Sequence, residues 1–132
     1  MNRVLRALLN RVLGDEGERA AARHLKKRGM RVITRGYRTP RGEIDLIARD
    51  GDTLVFVEVK TRRAGHPAEF VTEEKQRRLT LAALHFLRRH RLLDQHCRFD
   101  VVAIVWAERA RTPLIESFKN AFEPPGNGQF FR

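Results

Sequence analysis

Asp45, Glu58 and Lys60 are charged residues set inside two otherwise apolar runs, "GEIDLIARD" (42–50) and "DTLVFVEVKTR" (52–62). A strand that feeds a core has little tolerance for such side chains, because a desolvated charge needs a partner. Two ionised carboxylates about 5 Å apart repel by roughly 3 kcal/mol at an effective dielectric of about 20. A shared proton, a neighbouring Arg or Lys, or a divalent cation would offset that. Carboxylate oxygens suit Mg2+ or Mn2+. A cation held by Asp45 and Glu58, with the Val59 carbonyl as a further oxygen, would lower the pKa of a bound water and polarise a phosphate. Lys60, two residues after Glu58 and on the same strand face, would orient that water or neutralise developing negative charge. The chemistry would be phosphodiester hydrolysis. The competing reading is an ion-pair cluster guarding a sheet edge, with Lys60 paired to Glu58 or Asp45.

Periodicity and turn signals define the elements that must position these residues. Asp50-Gly51 is a two-residue hairpin signal. With that turn, Asp45 faces Phe56 and Glu43 faces Glu58. Glu43, Asp45 and Ile47 then share a sheet face with Leu54, Phe56, Glu58 and Lys60, which makes Asp45 and Glu58 diagonal neighbours. Ile44, Leu46 and Ala48 against Val55, Val57 and Val59 form a continuous apolar face behind them.

Upstream, Gly14 and Gly17 interrupt a helical pattern, and Asp15 with Glu18 has the spacing of a capping box. A helix is expected from about 16 to 28, stopped by Gly29. "MRVITRGYR" reads as a strand near 30–37 and "TPRG" as a loop. Downstream, Thr72 caps a helix to about His90, whose apolar stripe is Leu79, Ala82, Ala83, Phe86 and Leu87. "CRFDVVAIVWAE" (97–108) is a long strand buried on both faces, where Asp100 is expected to pair with an arginine and Trp106 to join the core. A short strand follows near 113–119. The order α-β-β-β-α-β-β predicts an α/β fold, a mixed sheet flanked by helices.

The chain of 132 residues fits one domain, divided as a helical extension (1–13), a main domain (14–122) and a Pro/Gly-rich tail (123–132). The amphipathic stripe Val4, Leu5, Leu8, Leu9 and Val12 is expected to dock on the domain or a partner, with a membrane surface as the alternative. No stretch approaches the length of a membrane span and the N-terminus lacks signal-peptide features, so stable membrane association is not expected. With 27 basic and 16 acidic residues the formal charge is +11, which points to a polyanionic partner, nucleic acid first. Of the basic residues 22 are Arg, a bias that base composition alone can produce. Cys97 is the single cysteine, read as a small buried hydrophobe in a reducing, cytoplasmic setting. The five histidines have no zinc-like spacing with it. Arg62 and Arg63 at the end of the second run, with Arg38 and Arg41 before the first, are candidate nucleic-acid contacts or simply a solvated edge.

The stretch "GEIDLIARDGDTLVFVEVKTR" resembles the core of the PD-(D/E)xK nuclease superfamily. More narrowly, the whole chain is similar to the bacterial YraN family of small predicted endonucleases, themselves similar to archaeal Holliday junction resolvases. The resemblance is carried by "GDEGERAA" (14–21), the hairpin (42–62), "VTEEKQRRL" (71–79), "RFDVVAI" (98–104) and "NAF" (120–122). It implies a restriction-endonuclease-like five-stranded mixed sheet and a Mg2+- or Mn2+-dependent nuclease acting on DNA, including branched DNA. Asp45, Glu58 and Lys60 fall on the superfamily's two acids and lysine. Glu18 matches a first-helix glutamate near the metal, and Lys75 a helix position near the site. Glu18 also reads as part of the capping box. Lys75 lies one turn before Leu79 on the inward stripe, although a lysine there can snorkel outward. Two departures stand out: Ile44 precedes Asp45 where the superfamily motif has proline, and Gly36 in "RGYR" stands where the family more often carries asparagine. Junction resolution would need two sites, hence a homodimer. The alternative function is a nucleic-acid-binding module on the same fold without catalysis.

Overall fold

A helix needs its first free N–H groups satisfied, and here Asn2 does this by accepting a hydrogen bond from Leu5 N–H at 2.8 Å. In the computed structural model, which describes residues 2–65, 71–109 and 111–124 (backbone alone for 6, 7 and 9–14), the helix so begun, α1, runs unbroken over Arg3–Lys27. Gly14 and Gly17 therefore do not interrupt it, and Asp15 lies within the helix rather than at a capping box. Glycine costs a helix interior about 1 kcal/mol relative to alanine. Packing outweighs that at Gly17, where a Cβ would collide with Thr61 Cγ2. The helix ends as expected at Gly29, whose φ of +89° lets Met30 N–H reach back to the Leu25 carbonyl at 3.0 Å.

The remaining elements are β1 (Arg31–Thr39), β2 (Gly42–Asp50), β3 (Thr53–Arg63), α2 (Glu73–Arg89), β4 (Cys97–Trp106) and β5 (Leu114–Phe118). The expected order α-β-β-β-α-β-β holds. The five strands form one mixed sheet in the order β1-β2-β3-β4-β5. All neighbours are antiparallel except β3 and β4, which α2 joins in parallel. This is an α/β fold with an open five-stranded sheet, consistent with a restriction-endonuclease-like architecture.

Alternation along β3 assigns the two faces. Leu54 and Phe56 join Leu79, Ala82, Ala83, Phe86, Leu87 and Phe99 in a core beneath α2. Val55 and Val57 join Ala20, Ala21, Leu25, Val102 and Ile104 beneath α1. Each large apolar side chain buried this way contributes about 1.5–3 kcal/mol. Trp106 packs against the α1-side core and Cys97 is buried in the α2-side core, as expected.

Two details of the hairpin differ from the expectation. The turn residues are Gly51 and Asp52, with Asp50 opposite Thr53, so the register lies two residues away from that of an Asp50-Gly51 turn. A two-residue shift leaves every side chain on its face. The apolar face is also not continuous along β2. Ile44 belongs to the core under α2, whereas Leu46 belongs to the core under α1.

That break has a cause in the pairing. β2 pairs with β3 from Asp50 back to Leu46 and then leaves it, while pairing with β1 continues to Gly42. β3 in turn stays with β4 as far as Arg63. The sheet forks at Asp45 and Glu58.

The start of α1 projects beyond the core. Val4, Leu5 and Leu8 are exposed, while the Leu9 and Val12 side chains and the tail residues Phe130 and Phe131 lie outside the described residues. Among the described residues no helix is long and apolar enough to cross a membrane.

Candidate active site

The fork places side chains where a ladder would otherwise continue. Val59 N–H, on the β3 edge facing β2, donates instead to Asp45 Oδ2 at 2.8 Å. Asp45 and Glu58 are thereby neighbours across the opening rather than the diagonal pair expected from an Asp50-Gly51 turn. Glu58 is buried and half-buried Lys60 follows it.

Both helices reach this opening. Thr72 caps α2 by accepting from Lys75 N–H at 3.1 Å, and the Lys75 ammonium lies 3.3 Å from Glu58 Oε1. From the other side, the Gly17–Thr61 approach seats α1 low on β3 and brings Glu18 near enough to Asp45 for their charges to interact. Asp45, Glu58, Lys60, Lys75 and Glu18 thus come from four elements to one place.

The electrostatics of that place are unbalanced. Burial, reinforced by the charge of Asp45, pushes Glu58 up to about 7, although Lys75 and Lys60 pull the other way. Burial and Asp45 likewise push Glu18 up to about 7. Asp45 is also raised, by burial, against the opposing effects of the Val59 N–H and Lys75. Burial accounts for most of this pattern, and the charge of Asp45 adds to it at Glu18 and Glu58. With all three carboxyls ionised, the two lysines leave negative charge that a cation would offset.

The donor chemistry fits a hard divalent ion. Asp45, Glu58 and the Val59 carbonyl offer oxygen alone, which suits Mg2+ or Mn2+. Among the described residues no three His, Cys, Asp or Glu side chains already stand in a ligating group. Lys75 occupies Glu58 Oε1 in this arrangement.

The candidate phosphate contacts divide. Half-buried Arg62 continues the Lys60 face of β3, whereas exposed Arg63 points with Thr61 toward the α1 side. Arg38 and Arg41 are brought instead to the β1–β2 turn, where Arg38 Nε lies 3.6 Å from Glu43 Oε1. Asp100 does pair with an arginine: Arg98, two residues before it on β4, at 3.0 Å. The sequence reading missed Arg78, which joins Arg38 and Arg41 at that turn. Its spacing of three from Lys75 along α2 was the available signal. It also missed Gly17 and Gly42 as contact points; only the approach of a helix reveals them.

Comparison with known proteins assigns the family. The model of the uncharacterised protein family UPF0102 matches residues 17–104, a span that contains all five clustered residues. A UPF0102 protein of Geotalea uraniireducens is 50% identical over 117 residues, covering 86% of this chain and 91% of the relative. One of Rhodococcus opacus is 50% identical over 116 residues (86% and 98%). One of Coxiella burnetii is 47% identical over 119 residues (87% and 95%).

Proposed function

The chain belongs to the uncharacterised protein family UPF0102, and from that premise and the geometry of the fork we propose that it is a divalent-metal-dependent nuclease that hydrolyses DNA phosphodiester bonds. The observation that carries this reading is the meeting of Asp45 and Glu58 at an opened strand pair, with lysines from β3 and α2 beside them. Desolvated carboxyls concentrated in one spot are poor for stability, and a cation arriving with a phosphate relieves them. Asp45 and Glu58 would hold Mg2+ or Mn2+ with the Val59 carbonyl.

A bound ion would supply Lewis-acid polarisation of the phosphate and a water of lowered pKa. The Val59 N–H fixes one Asp45 oxygen and leaves the other for the ion. Lys60 neutralises charge that develops on phosphate oxygens or orients the attacking water. Lys75 offsets the Glu58 charge in the absence of metal and turns to phosphate once displaced. Glu18 supports the site from α1 through Asp45. Arg62, Arg63, Arg38 and Arg41 contact the flanking backbone, as the charge of +11 favours.

The test is cleavage of labelled junction, flap, duplex and single-stranded DNA in Mn2+. Wild type is expected to cut at least one of these, Asp45→Ala and Lys60→Ala to lose about 100-fold or more, and Lys60→Ala to keep metal binding. Equal, weak Mn2+ binding by wild type and Asp45→Ala would remove the metal site. Preference for junctions would go with a homodimer in solution.

The Lys75–Glu58 contact favours a second reading, in which the lysine already supplies the positive charge and the fold binds nucleic acid without cleaving it. That reading gives salt-sensitive DNA binding, no cleavage of any substrate, and little effect of Lys60→Ala.

A further inference from the structure

Beside the fork lies a cleft of about 560 Å3 between the β1–β2 turn and α2, and three arginines line it: Arg38, Arg41 and Arg78. Its form follows from two local devices. Thr39 Oγ1 accepts from Arg41 N–H and Gly42 N–H, both at 3.1 Å, and donates to the Gly42 carbonyl at 2.9 Å. That hydroxyl staples the turn, and Pro40 within it has a fixed φ. The second device is Gly42. A Cβ there would sit 2.8 Å from the Arg78 carbonyl oxygen, so glycine lets α2 press its backbone on the turn. Arg78 is thereby brought to the cleft that the two turn arginines line.

The arginines are available to a ligand. Arg38 meets Glu43 at 3.6 Å and Arg78 meets Glu74 at 2.7 Å, with all four side chains largely exposed. Exposed pairs of this kind contribute about 0–1 kcal/mol, so an anion can take either guanidinium over. Arg41 is exposed on the turn itself. Three arginines line one opening, two of them held only by exposed carboxylates, and their planar donor forks suit phosphate oxygens.

The cleft also has a fixed relation to the fork. Glu43 on its wall is two residues from Asp45, about 7 Å along β2. Arg78 is three residues from Lys75, about 4.5 Å along α2. Those offsets are comparable with one or two phosphate steps along a strand.

We propose that this arginine cleft is a backbone-phosphate subsite that grips the nucleic-acid strand one or two phosphates to one side of the bond at the fork. The proposal rests on the nuclease reading for its role, and it narrows the substrate class. The strand must continue past the cut on that side, so polymers are substrates and mononucleotide diesters are not gripped.

The test compares Arg41→Gln/Arg78→Gln with Arg88→Gln/Arg89→Gln, which removes the same charge about 15 Å away at the far end of α2. Binding of fluorescent single-stranded DNA is measured against salt, in EDTA, with circular dichroism to verify folding. Each phosphate contact contributes about 0.7 to the slope of log K against log salt for single strands. The cleft variant is expected to lose about 1–1.5 of that slope and bind about 10-fold more weakly, whatever the sequence, with the distal variant near wild type. Equal losses in both variants, or none in the cleft variant, overturn the subsite. A loss confined to the cleft variant, in a protein that cuts no DNA in Mn2+, retains the phosphate site and removes the nuclease reading instead.

Discussion

Two groups of charged residues sit on the same sheet, one toward the hairpin turn and one at the fork, and they are built differently. At the turn end, Asp100 accepts from Arg98 Nε at 3.0 Å and from Asn120 N–H at 2.9 Å, and Arg98 also reaches Asp50 at 2.9 Å. Burial alone pulls the Arg98 guanidinium down, yet its bonds to Asp100 and Asp50 carry it above its usual value. Each acceptor has a donor, and the cluster joins β2, β4 and the segment after β5. At the fork, three carboxyls face two lysines, two of the carboxyls are pushed to about 7, and the strand pair is opened rather than closed. Burial of charge is thus compatible with two uses. A planar, bidentate guanidinium satisfies its partners within the protein, whereas flexible ammonium groups leave carboxylate oxygens for something from outside.

The largest expected effect comes from breaking the closed cluster. Arg98→Leu leaves Asp100 buried without its charge partner and should cost about 3–5 kcal/mol by urea denaturation. A loss below about 1 kcal/mol would make the two ends alike. Next is the helix contact that serves the fork: Gly17→Ala should cost about 1–3 kcal/mol from overpacking on Thr61, and should weaken Mn2+ binding by moving Glu18 away from Asp45. Retained metal affinity would separate Glu18 from the site.

Acidity offers a third contrast. Glu18 and Glu58 hold protons more tightly in the folded chain, at about 7, than at their ordinary value of 4.5. Folding therefore takes up protons between those values, so their contribution is present below about pH 4.5 and is lost as pH rises through 7. In chelator, the wild-type melting temperature should fall more between pH 5 and 8 than that of Glu58→Gln, and Mn2+ should reverse part of the fall at pH 8. Parallel pH profiles would mean that Glu58 is already satisfied. The smallest effect is the stability of Glu58→Gln itself: in chelator at pH 8 it should be neutral or about 1 kcal/mol more stable than wild type, with the Mn2+-induced rise in melting temperature gone.

Much of this arrangement was legible in the chain. Alternation in "LVFVEVK" put Glu58 and Lys60 on one face with Phe56, and the stripe of α2 put Lys75 inward, where its ammonium meets Glu58. Other parts were not. Gly17 has the residue type of a helix breaker, and nothing local distinguishes that from a contact glycine until Thr61 lies against it. Arg78 reaches the β1–β2 turn because Gly42 admits the α2 backbone, a contact between positions 36 residues apart in sequence.

Apart from Ile44, which changes sides at the fork, the sequence by itself determined which of the hairpin side chains share a face, because alternation has a period of two and survives any two-residue slip. For the same reason it did not determine which residues stand opposite one another. The tertiary structure decided that: Arg98 on β4 holds Asp50 in the closing pair of the hairpin, opposite Thr53, which makes Gly51-Asp52 the turn. It also decided where β2 leaves β3, since the strand's start stays with β1 while β3 follows β4. Residue types supplied the acids and lysines. The fork, which depends on long-range strand pairing, gathered them at one point.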